Sequence, residues 1–264
     1  MRLSGRSVLT ILALLGASSC VAQAEPIGPL HCNDSTGVTR AMLRSVTIVG
    51  TVSAQFSTEK SARFYVQDST GGVCVFGPTK NCAAVGDSVR VSGDVASFSG
   101  LTEITGSAES PLAIEALGKS RAPVVALALS PARIQATLQP DGCEPNEGRL
   151  VLLHNVLIRA ASGGLVAAGG KFTEGTNYRL MHAGGDSTTN WAMMRIASAT
   201  GCEGSRSLAG APIPATAVQI VGVLTQYMGR GSTSGGYQLL PRTPADLQPP
   251  TRDEVPPHRR DTEH

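Results

Sequence analysis

Apolar and polar residues alternate with a period of two in several short stretches between Ser45 and Ile104. Clusters of Gly, Asp and Ser separate the stretches, and this combination is typical of short antiparallel strands joined by tight turns. The strands are expected within residues 46–52, 63–76, 85–95 and 100–104, with a hairpin in the second range. Glycines interrupt the first and fourth strands, which favours a small, strongly bent five-stranded barrel, because a strand that turns a corner needs a residue without a Cβ.

A short helix is predicted between this barrel and the rest of the chain. Ser130 and Pro131 are typical of an N-cap followed by proline at the first helical position, and the helix is expected to end near Thr137. Strand-like stretches then resume. They fall within residues 148–158, 177–181, 190–196, 217–227 and 236–240.

The two halves of the chain share a spacing of glycine and aromatic residues. Gly222 occupies the same position in the fourth strand of the second half as Gly93 does in the first. The link to the fifth strand also recurs, as Phe98-Ser-Gly100 in one half and Tyr227-Met-Gly229 in the other. Such self-similarity indicates one fold used twice. We therefore predict an all-β protein of two tandem five-stranded barrels with a short connecting helix.

The amino-terminal residues have the pattern of a secretory signal peptide. Arg2 and Arg6 precede an apolar run over residues 8–17, and Ala22-Gln-Ala24 is a small-x-small cleavage site. The run is too short to span a membrane, and no later stretch is long and apolar enough, so the mature protein is expected to be exported and soluble. Cys20 offers a competing interpretation as a lipid-modified cysteine, although the residues before it match a lipobox poorly.

These patterns divide the chain into six predicted segments. They are a signal peptide (1–24), an extended lead-in (25–43), a first barrel (44–129), a linker with the short helix (130–144), a second barrel (145–248) and a tail (249–264). Proline and alternating charges in the tail indicate disorder.

The charge of the mature chain is nearly balanced. Cleavage after Ala24 lowers the number of Lys and Arg residues from 22 to 20, against 20 Asp and Glu residues. A protein that binds nucleic acid mainly through its phosphates usually has a basic surplus. Residues 44–117 carry five basic and seven acidic side chains, however, whereas residues 145–247 carry eight basic and five acidic. An anionic partner is therefore expected to prefer the second half.

Five cysteines remain after cleavage, and export favours disulfide formation. They are Cys32, Cys74, Cys82, Cys143 and Cys202, and the odd number leaves one thiol over. No Cys-x-x-Cys pair is present, so a zinc site is not expected. We predict that Cys74 pairs with Cys82 and Cys143 with Cys202, although the sequence leaves other pairings open.

Several turn and core positions recur in a known arrangement. In the first unit they are Ile48-x-Gly50-x-Val52, Phe64-Tyr-Val-Gln-Asp68, Gly71-Gly-Val73, Val85-Gly-Asp87-x-Val89, Gly93 and Gly100. In the second they are Glu147-Gly-Arg-Leu-Val151, Asn155-Val156, Ile220-x-Gly222-x-Leu224, Tyr237-x-Leu239-x-Pro241 and Asp246. With this arrangement, residues 44–247 resemble the tandem OB-fold modules of secreted bacterial proteins, which often accompany extracellular nucleases or phosphoesterases. No catalytic domain is expected after Leu247, so the resemblance implies an accessory binding module.

The usual ligand face of an OB barrel is the outward face of strands two and three with the neighbouring loops. In the first unit, alternation leaves Arg63, Tyr65 and Phe76 on that face. An arginine beside two rings can stack nucleotide bases, at about 1–3 kcal/mol for each base. Tyr65 and Phe76 can instead cover the barrel or pack against the other domain. The acidic surplus of this unit favours that alternative, because it repels phosphates.

The same face of the second unit is more basic. Arg179, Trp191 and Arg195 are predicted to point outward there, and Tyr227 and Arg230 on the link to the last strand can extend the cluster. Trp191 is the only tryptophan of the chain. An interface with the other domain or with a partner protein explains the cluster equally well, because exposed tryptophan is also favoured at interfaces.

The sequence contains no catalytic constellation. Asp68, Asp87 and Asp186 lie in turn contexts and are expected to bond local backbone groups. The five histidines show no metal-ligand spacing, and nucleophile motifs and phosphate-binding glycine loops are absent. We therefore expect no enzymatic activity, no cofactor and no metal site.

The sequence favours an exported protein that binds an extended ligand. Single-stranded nucleic acid is the first expectation, through Arg179, Trp191 and Arg195, and it rests on the OB-fold resemblance. The alternative is a cell-envelope module that binds a protein or an oligosaccharide, which the balanced charge and low aromatic content favour. The sequence does not predict an oligomeric state.

Overall fold

The computed structural model describes residues 23–78, 82–106, 111–166, 169–186, 188–198 and 207–250. The predicted signal peptide and tail lie almost wholly outside these residues. The elements, in chain order, are β1 (Ser45–Gln55), β2 (Ala62–Gln67), β3 (Gly72–Gly77), β4 (Asp87–Phe98), β5 (Leu101–Thr105), β6 (Ala113–Lys119), β7 (Leu127–Leu129), α1 (Pro131–Gln135), β8 (Leu150–Ala160), β9 (Asn177–His182), β10 (Trp191–Arg195), β11 (Val218–Gln226), β12 (Tyr237–Leu240) and β13 (Leu247–Gln248). Short 3₁₀ turns lie at Gly28–His31 and Pro244–Asp246.

Each half of the chain forms a closed five-stranded barrel. The strands of the first barrel follow the order β1-β2-β3-β5-β4, and β4 closes the ring by pairing with β1. The second barrel has the order β8-β9-β10-β12-β11 and closes between β11 and β8. Within each ring only the third and fifth strands pair in parallel. This is the connectivity of an OB-type barrel, so the predicted fold of two tandem OB-type barrels is confirmed.

Three of the described strands lie outside the rings: β6 pairs with β4, β7 with β8, and β13 with β11. β7 lies in the apolar stretch 124–129, which predicts a strand or extended segment, whereas β6 and β13 have no counterpart in the sequence prediction. Most side chains of β6 are exposed, so this strand has no buried face that would produce alternation in the sequence.

The inner and outer faces of the second and third strands are those predicted from alternation. The inward residues are Phe64, Val66, Val73 and Val75 in the first barrel and Tyr178, Leu180, Met194 and Ile196 in the second. Burial of a large apolar side chain contributes about 1.5–3 kcal/mol. This burial fixes which side chains between the inward residues face outward.

The predicted glycine corners are present in both barrels. A Cβ built on Gly50 of β1 would lie 2.8 Å from the carbonyl oxygen of Gln67, and one on Gly222 of β11 would lie 2.8 Å from that of Leu240. Side chains at these positions would therefore press against the backbone of the neighbouring strand.

The predicted connecting helix is α1. The side chain of Ser130 caps it by accepting a hydrogen bond from the backbone N–H of Arg133 at 3.3 Å. Ile134 is fully buried in the core of the second barrel, so the helix packs against that barrel.

A third apolar cluster joins the two barrels. The first barrel contributes Ala54, Phe56, Tyr65, Cys74 and Leu101, and the second contributes Leu150, Val223 and Leu240. The Tyr65 hydroxyl also donates a hydrogen bond to Thr225 Oγ1 at 2.9 Å. The barrels therefore pack directly against each other.

Buried polar groups beside this cluster tie the lead-in to both barrels. His31 Nε2 donates to the carbonyl oxygen of Gly72 at 2.6 Å, and His31 Nδ1 lies 3.0 Å from Glu147 Oε1. The same carboxylate oxygen accepts a hydrogen bond from the backbone N–H of Thr102 at 2.8 Å. Leaving one of these buried groups without its hydrogen-bond partner typically costs about 1–3 kcal/mol.

We call these buried polar contacts between the lead-in and the two barrels the polar seam, and Glu144 forms a second part of it. Its carboxylate accepts hydrogen bonds from the Tyr237 hydroxyl, from Gln226 Nε2 at 3.1 Å and from Asn33 Nδ2 at 2.8 Å. Burial, assisted by the nearby charge of Glu147, raises the pKa of Glu144 to about 7. The folded protein therefore retains a proton there at pH values where an exposed glutamate has lost it.

The stability of the protein is expected to fall as the pH rises from about 4.5, the ordinary pKa of glutamate, towards 7. In that window the folded state binds more protons than the unfolded state, so the free energy of unfolding decreases with pH. Urea unfolding at a series of pH values measures this slope, and Glu144→Gln is expected to flatten it. A stability that rises across the window, or a slope unchanged in Glu144→Gln, would contradict the expectation.

The disulfides differ from the sequence prediction. Cys32 of the lead-in is bonded to Cys143 of the linker, Cys74 is a free buried thiol, and Cys82 is disulfide-bonded. The predicted pairs Cys74–Cys82 and Cys143–Cys202 are therefore wrong, and Cys202 itself lies outside the described residues. Cys74 faces the second barrel in the apolar junction, away from the exposed loop of Cys82. The Cys32–Cys143 disulfide is compatible with an exported location.

Among the described residues, no helix has the length and apolar character required to cross a bilayer.

Candidate ligand-binding face and cleft

The outer face of β8, β9 and β10 carries a basic and aromatic surface. Strand register places Arg159 opposite Arg179, Arg179 opposite Met193, and Met181 opposite Trp191. The guanidinium carbon of Arg179 lies 4.4 Å from the centroid of the Trp191 ring, which is a cation–π contact. We call the surface formed by Arg159, Arg179, Met181, Trp191, Met193 and Arg195 the arginine face.

The arginines of this face lack acidic partners. Within the described part of the chain, Arg159, Arg179 and Arg195 form no ion pair with a carboxylate. Arg195 instead donates to the Asn177 side-chain oxygen at 3.1 Å, and Arg159 donates to a backbone carbonyl. By contrast, Arg90 on the first barrel is paired with a glutamate at 2.6 Å. The arginine face is therefore a local region of uncompensated positive charge.

The arginine face opens, at Arg195, into a cleft of about 610 Å³ between the two barrels. Arg63, Phe76 and Phe98 of the first barrel line it, and Arg195 and Tyr227 line it from the second. We call this the interbarrel cleft.

The rim of the interbarrel cleft carries a pair of exposed rings. Phe98 and Tyr227 are 61% and 57% exposed, and their ring centroids are 6.5 Å apart. They belong to the two links whose similarity was noted in the sequence, and these links touch, since Met228 N donates to Ser99 O at 2.6 Å. The repeated motif thus places one ring from each barrel at the same opening.

The floor of the interbarrel cleft is polar and buried. Glu103, Thr225, Gln226 and Gln238 line it, each at most 9% exposed. Burial raises the pKa of Glu103, and the nearby positive charge of Arg63 opposes that shift. The cleft therefore combines aromatic walls and cationic groups at its edge with hydrogen-bonding groups at its base.

The structure brings together most of the residues predicted to bind a ligand. Arg63, Phe76, Arg195 and Tyr227 lie in the interbarrel cleft, and Arg179 and Trp191 lie on the adjoining arginine face. Arg230 is exposed on the loop before β12 and is not among the lining residues of the cleft.

The assignment of Tyr65 to a ligand surface needs correction. Its side chain is fully buried and bonds Thr225 across the junction, so a ligand cannot reach it. The alternative weighed from the sequence, packing against the other domain, is what the structure shows. Tyr65 faces out of its own barrel as alternation requires, and the second barrel covers it.

Phe98, Arg159, Glu103 and Gln226 were not recognised as candidate residues from the sequence. Arg159 lies one residue beyond the predicted strand 148–158, so alternation with the inward-facing Ile158 indicates its outward position only if the strand is extended to Ala160, where the structure ends it. The positions of Glu103 and Gln226 depend on how the barrels pack, and the local sequence carries no signal for that.

The predicted turn aspartates behave as expected. Asp68 Oδ1 accepts from the backbone N–H groups of Thr70 and Gly71, and Asp186 Oδ1 accepts from that of Thr188. Asp87 bonds the backbone N–H of Ala84. Over the described ranges, no group of three or more His, Cys, Asp or Glu residues is arranged to hold a metal ion.

Comparisons with known proteins do not assign the chain to a family. No family model matches it, and no curated protein matches it. One matching solved structure is that of a candidate aspartyl-tRNA synthetase from Leishmania major Friedlin, at 13% identity and a TM-score of 0.31. The match covers 42% of this chain and 24% of that one, so it spans only about a quarter of the other protein. A similarity of this size carries no argument about function.

Proposed function

We propose that this is an exported, non-catalytic protein that binds single-stranded nucleic acid along the arginine face and into the interbarrel cleft. It would be an accessory module of the kind found in secreted bacterial proteins with tandem OB folds. The observation that carries the proposal is the Arg179–Trp191 stack on a surface whose arginines lack carboxylate partners within the described residues.

The chemistry of the face suits a flexible anionic polymer with planar groups. Arg159, Arg179 and Arg195 can contact successive phosphates. Bases can stack on the guanidinium plane of Arg179 and on the exposed rings of Phe98 and Tyr227. Stacking tolerates any base and contributes about 1–3 kcal/mol for each.

The balanced net charge does not oppose this proposal, because binding depends on local potential. The acidic groups Glu144 and Glu147 are buried in the junction and bonded to their neighbours, so they are not part of the arginine face. The three arginines of the face remain available to a polyanion.

Titration of Trp191 fluorescence tests the proposal, since the chain has a single tryptophan. A single-stranded oligo(dT) dodecamer is expected to change the emission and to bind more weakly at about 200 mM salt than at about 50 mM. Incubation of the oligonucleotide with the protein and Mg²⁺ is expected to leave the oligonucleotide intact.

Other outcomes of that titration point to other functions. A response that ignores salt, or that only an oligosaccharide produces, would favour a glycan-binding protein. No response to either ligand would favour a protein partner. Metal-dependent cleavage by the purified protein would overturn the non-catalytic assignment.

A further inference from the structure

The floor of the interbarrel cleft offers hydrogen-bond acceptors. Gln226 is 3% exposed, and its Nε2 already donates to Glu144 Oε1 and to the carbonyl oxygen of Gly235. Its Oε1 has no partner among the residues the structure describes. Glu103 is 8% exposed, and the weak thiol donor Cys74 contacts only its Oε1, at 3.6 Å. Glu103 therefore retains an acceptor atom, whereas Gln226 Oε1 is buried and closed to a ligand.

Glu103 is the acceptor that faces the cleft. Gln226 Oε1 packs against the first barrel, since a Cβ built on Gly100 would lie 2.8 Å from it, and Glu103 lies three residues, or about 10 Å, farther along the strand. The exposed rings of Phe98 and Tyr227 stand at the opening above them. A planar group resting against either ring would direct its edge towards the floor.

We propose that the cleft reads the edge of one nucleobase and selects bases with an exocyclic amino group, which donates to Glu103. This inference rests on the proposed binding of single-stranded nucleic acid. Arg63 and Arg195 line the cleft, one from each barrel, and hold the phosphates that flank the selected base. The volume of about 610 Å³ lies within the usual range for small-ligand sites, about 300–1,000 Å³.

The acceptors explain why an amino group is favoured. A glutamate carboxylate accepts a hydrogen bond from the N4 amino group of cytosine, which is a common protein–base contact. Uracil presents a carbonyl oxygen at the same position, so the Glu103 oxygen would face another acceptor and remain unsatisfied. Leaving such a buried group unpaired is unfavourable, so uracil is disfavoured in the cleft.

Cytosine and uracil differ mainly at this edge, so oligo(dC) and oligo(dU) dodecamers are matched probes. Fluorescence anisotropy with end-labelled oligonucleotides is expected to show about tenfold tighter binding of oligo(dC), as one well-placed base contact provides. In Glu103→Gln the new amide can also donate to a carbonyl, so the ratio of the two dissociation constants is expected to fall to about two. Glu115→Gln is the control, because it removes the same charge from an exposed glutamate on β6.

Each outcome decides a separate question. Equal binding of both oligonucleotides by the wild-type protein would overturn base selection and leave the proposed function standing. No binding of either would overturn the proposed function itself. A preference that survives unchanged in folded Glu103→Gln would overturn the role of Glu103. If that variant does not fold, the wild-type comparison alone still tests the selection.

Discussion

Replacement of Gly148 by alanine is expected to lower the free energy of unfolding by about 3 kcal/mol or more. Gly148 has a φ of 74°, where a residue with a Cβ is strained. A Cβ there would also overlap the carbonyl oxygen of Gly72, which belongs to the other barrel and accepts the hydrogen bond of His31. The substitution therefore forces the barrels apart at the polar seam.

Gly184→Ala separates the two causes of this destabilisation. Gly184 has a φ of 83°, but a Cβ built there meets no atom within 4 Å. Its replacement is expected to cost about 1 kcal/mol from backbone strain alone. Urea unfolding of both variants provides the comparison, and equal losses of stability would show that the Gly148–Gly72 contact does not hold the barrels together.

Replacement of both Arg179 and Arg195 by alanine is expected to weaken oligonucleotide binding by roughly 30-fold or more, as the loss of two charge-assisted phosphate contacts implies. The dependence of log affinity on log salt concentration is also expected to become shallower by about one to one and a half. Both side chains lie on the outer face of the second barrel, so the fold is expected to tolerate the change.

A double variant of the first barrel controls for the loss of two positive charges. Arg44→Ala with Arg90→Ala makes the same change in net charge, but these arginines are paired with Glu25 and Glu115. This control is expected to alter the affinity and the salt dependence far less. Equal weakening in the two double variants would show that binding responds to net charge and does not use the arginine face.

The sequence predicted the barrels because their strands bury one face each. The inward positions of Phe64 and Leu180 follow directly from period-two alternation, and Gly50 and Gly222 mark the corners. The cap of α1 was also predicted, because Ser130 bonds a backbone group only three residues further along the chain. These features depend on interactions between residues close in sequence or on a repeated pattern, so they can be predicted from the sequence.

The junction between the barrels leaves no such signal. Tyr65 on β2 and Cys74 on β3 face out of the first barrel, and only the position of the second barrel makes them buried. The Cys32–Cys143 disulfide joins positions separated by 111 residues, so its pairing depends on the same packing. The interbarrel cleft arises from this arrangement as well, which is why Glu103 was not recognised as a site residue.

Photo-cross-linking tests most directly whether both barrels contribute to one ligand site. A single-stranded oligonucleotide that contains iodouracil is irradiated with the protein, and mass spectrometry locates the modified peptides. We expect adducts on β10 at Trp191 and on the two links that carry Phe98 and Tyr227, all lost when unlabelled oligonucleotide competes. Adducts confined to other surfaces, such as the exposed strand β6, would contradict the account.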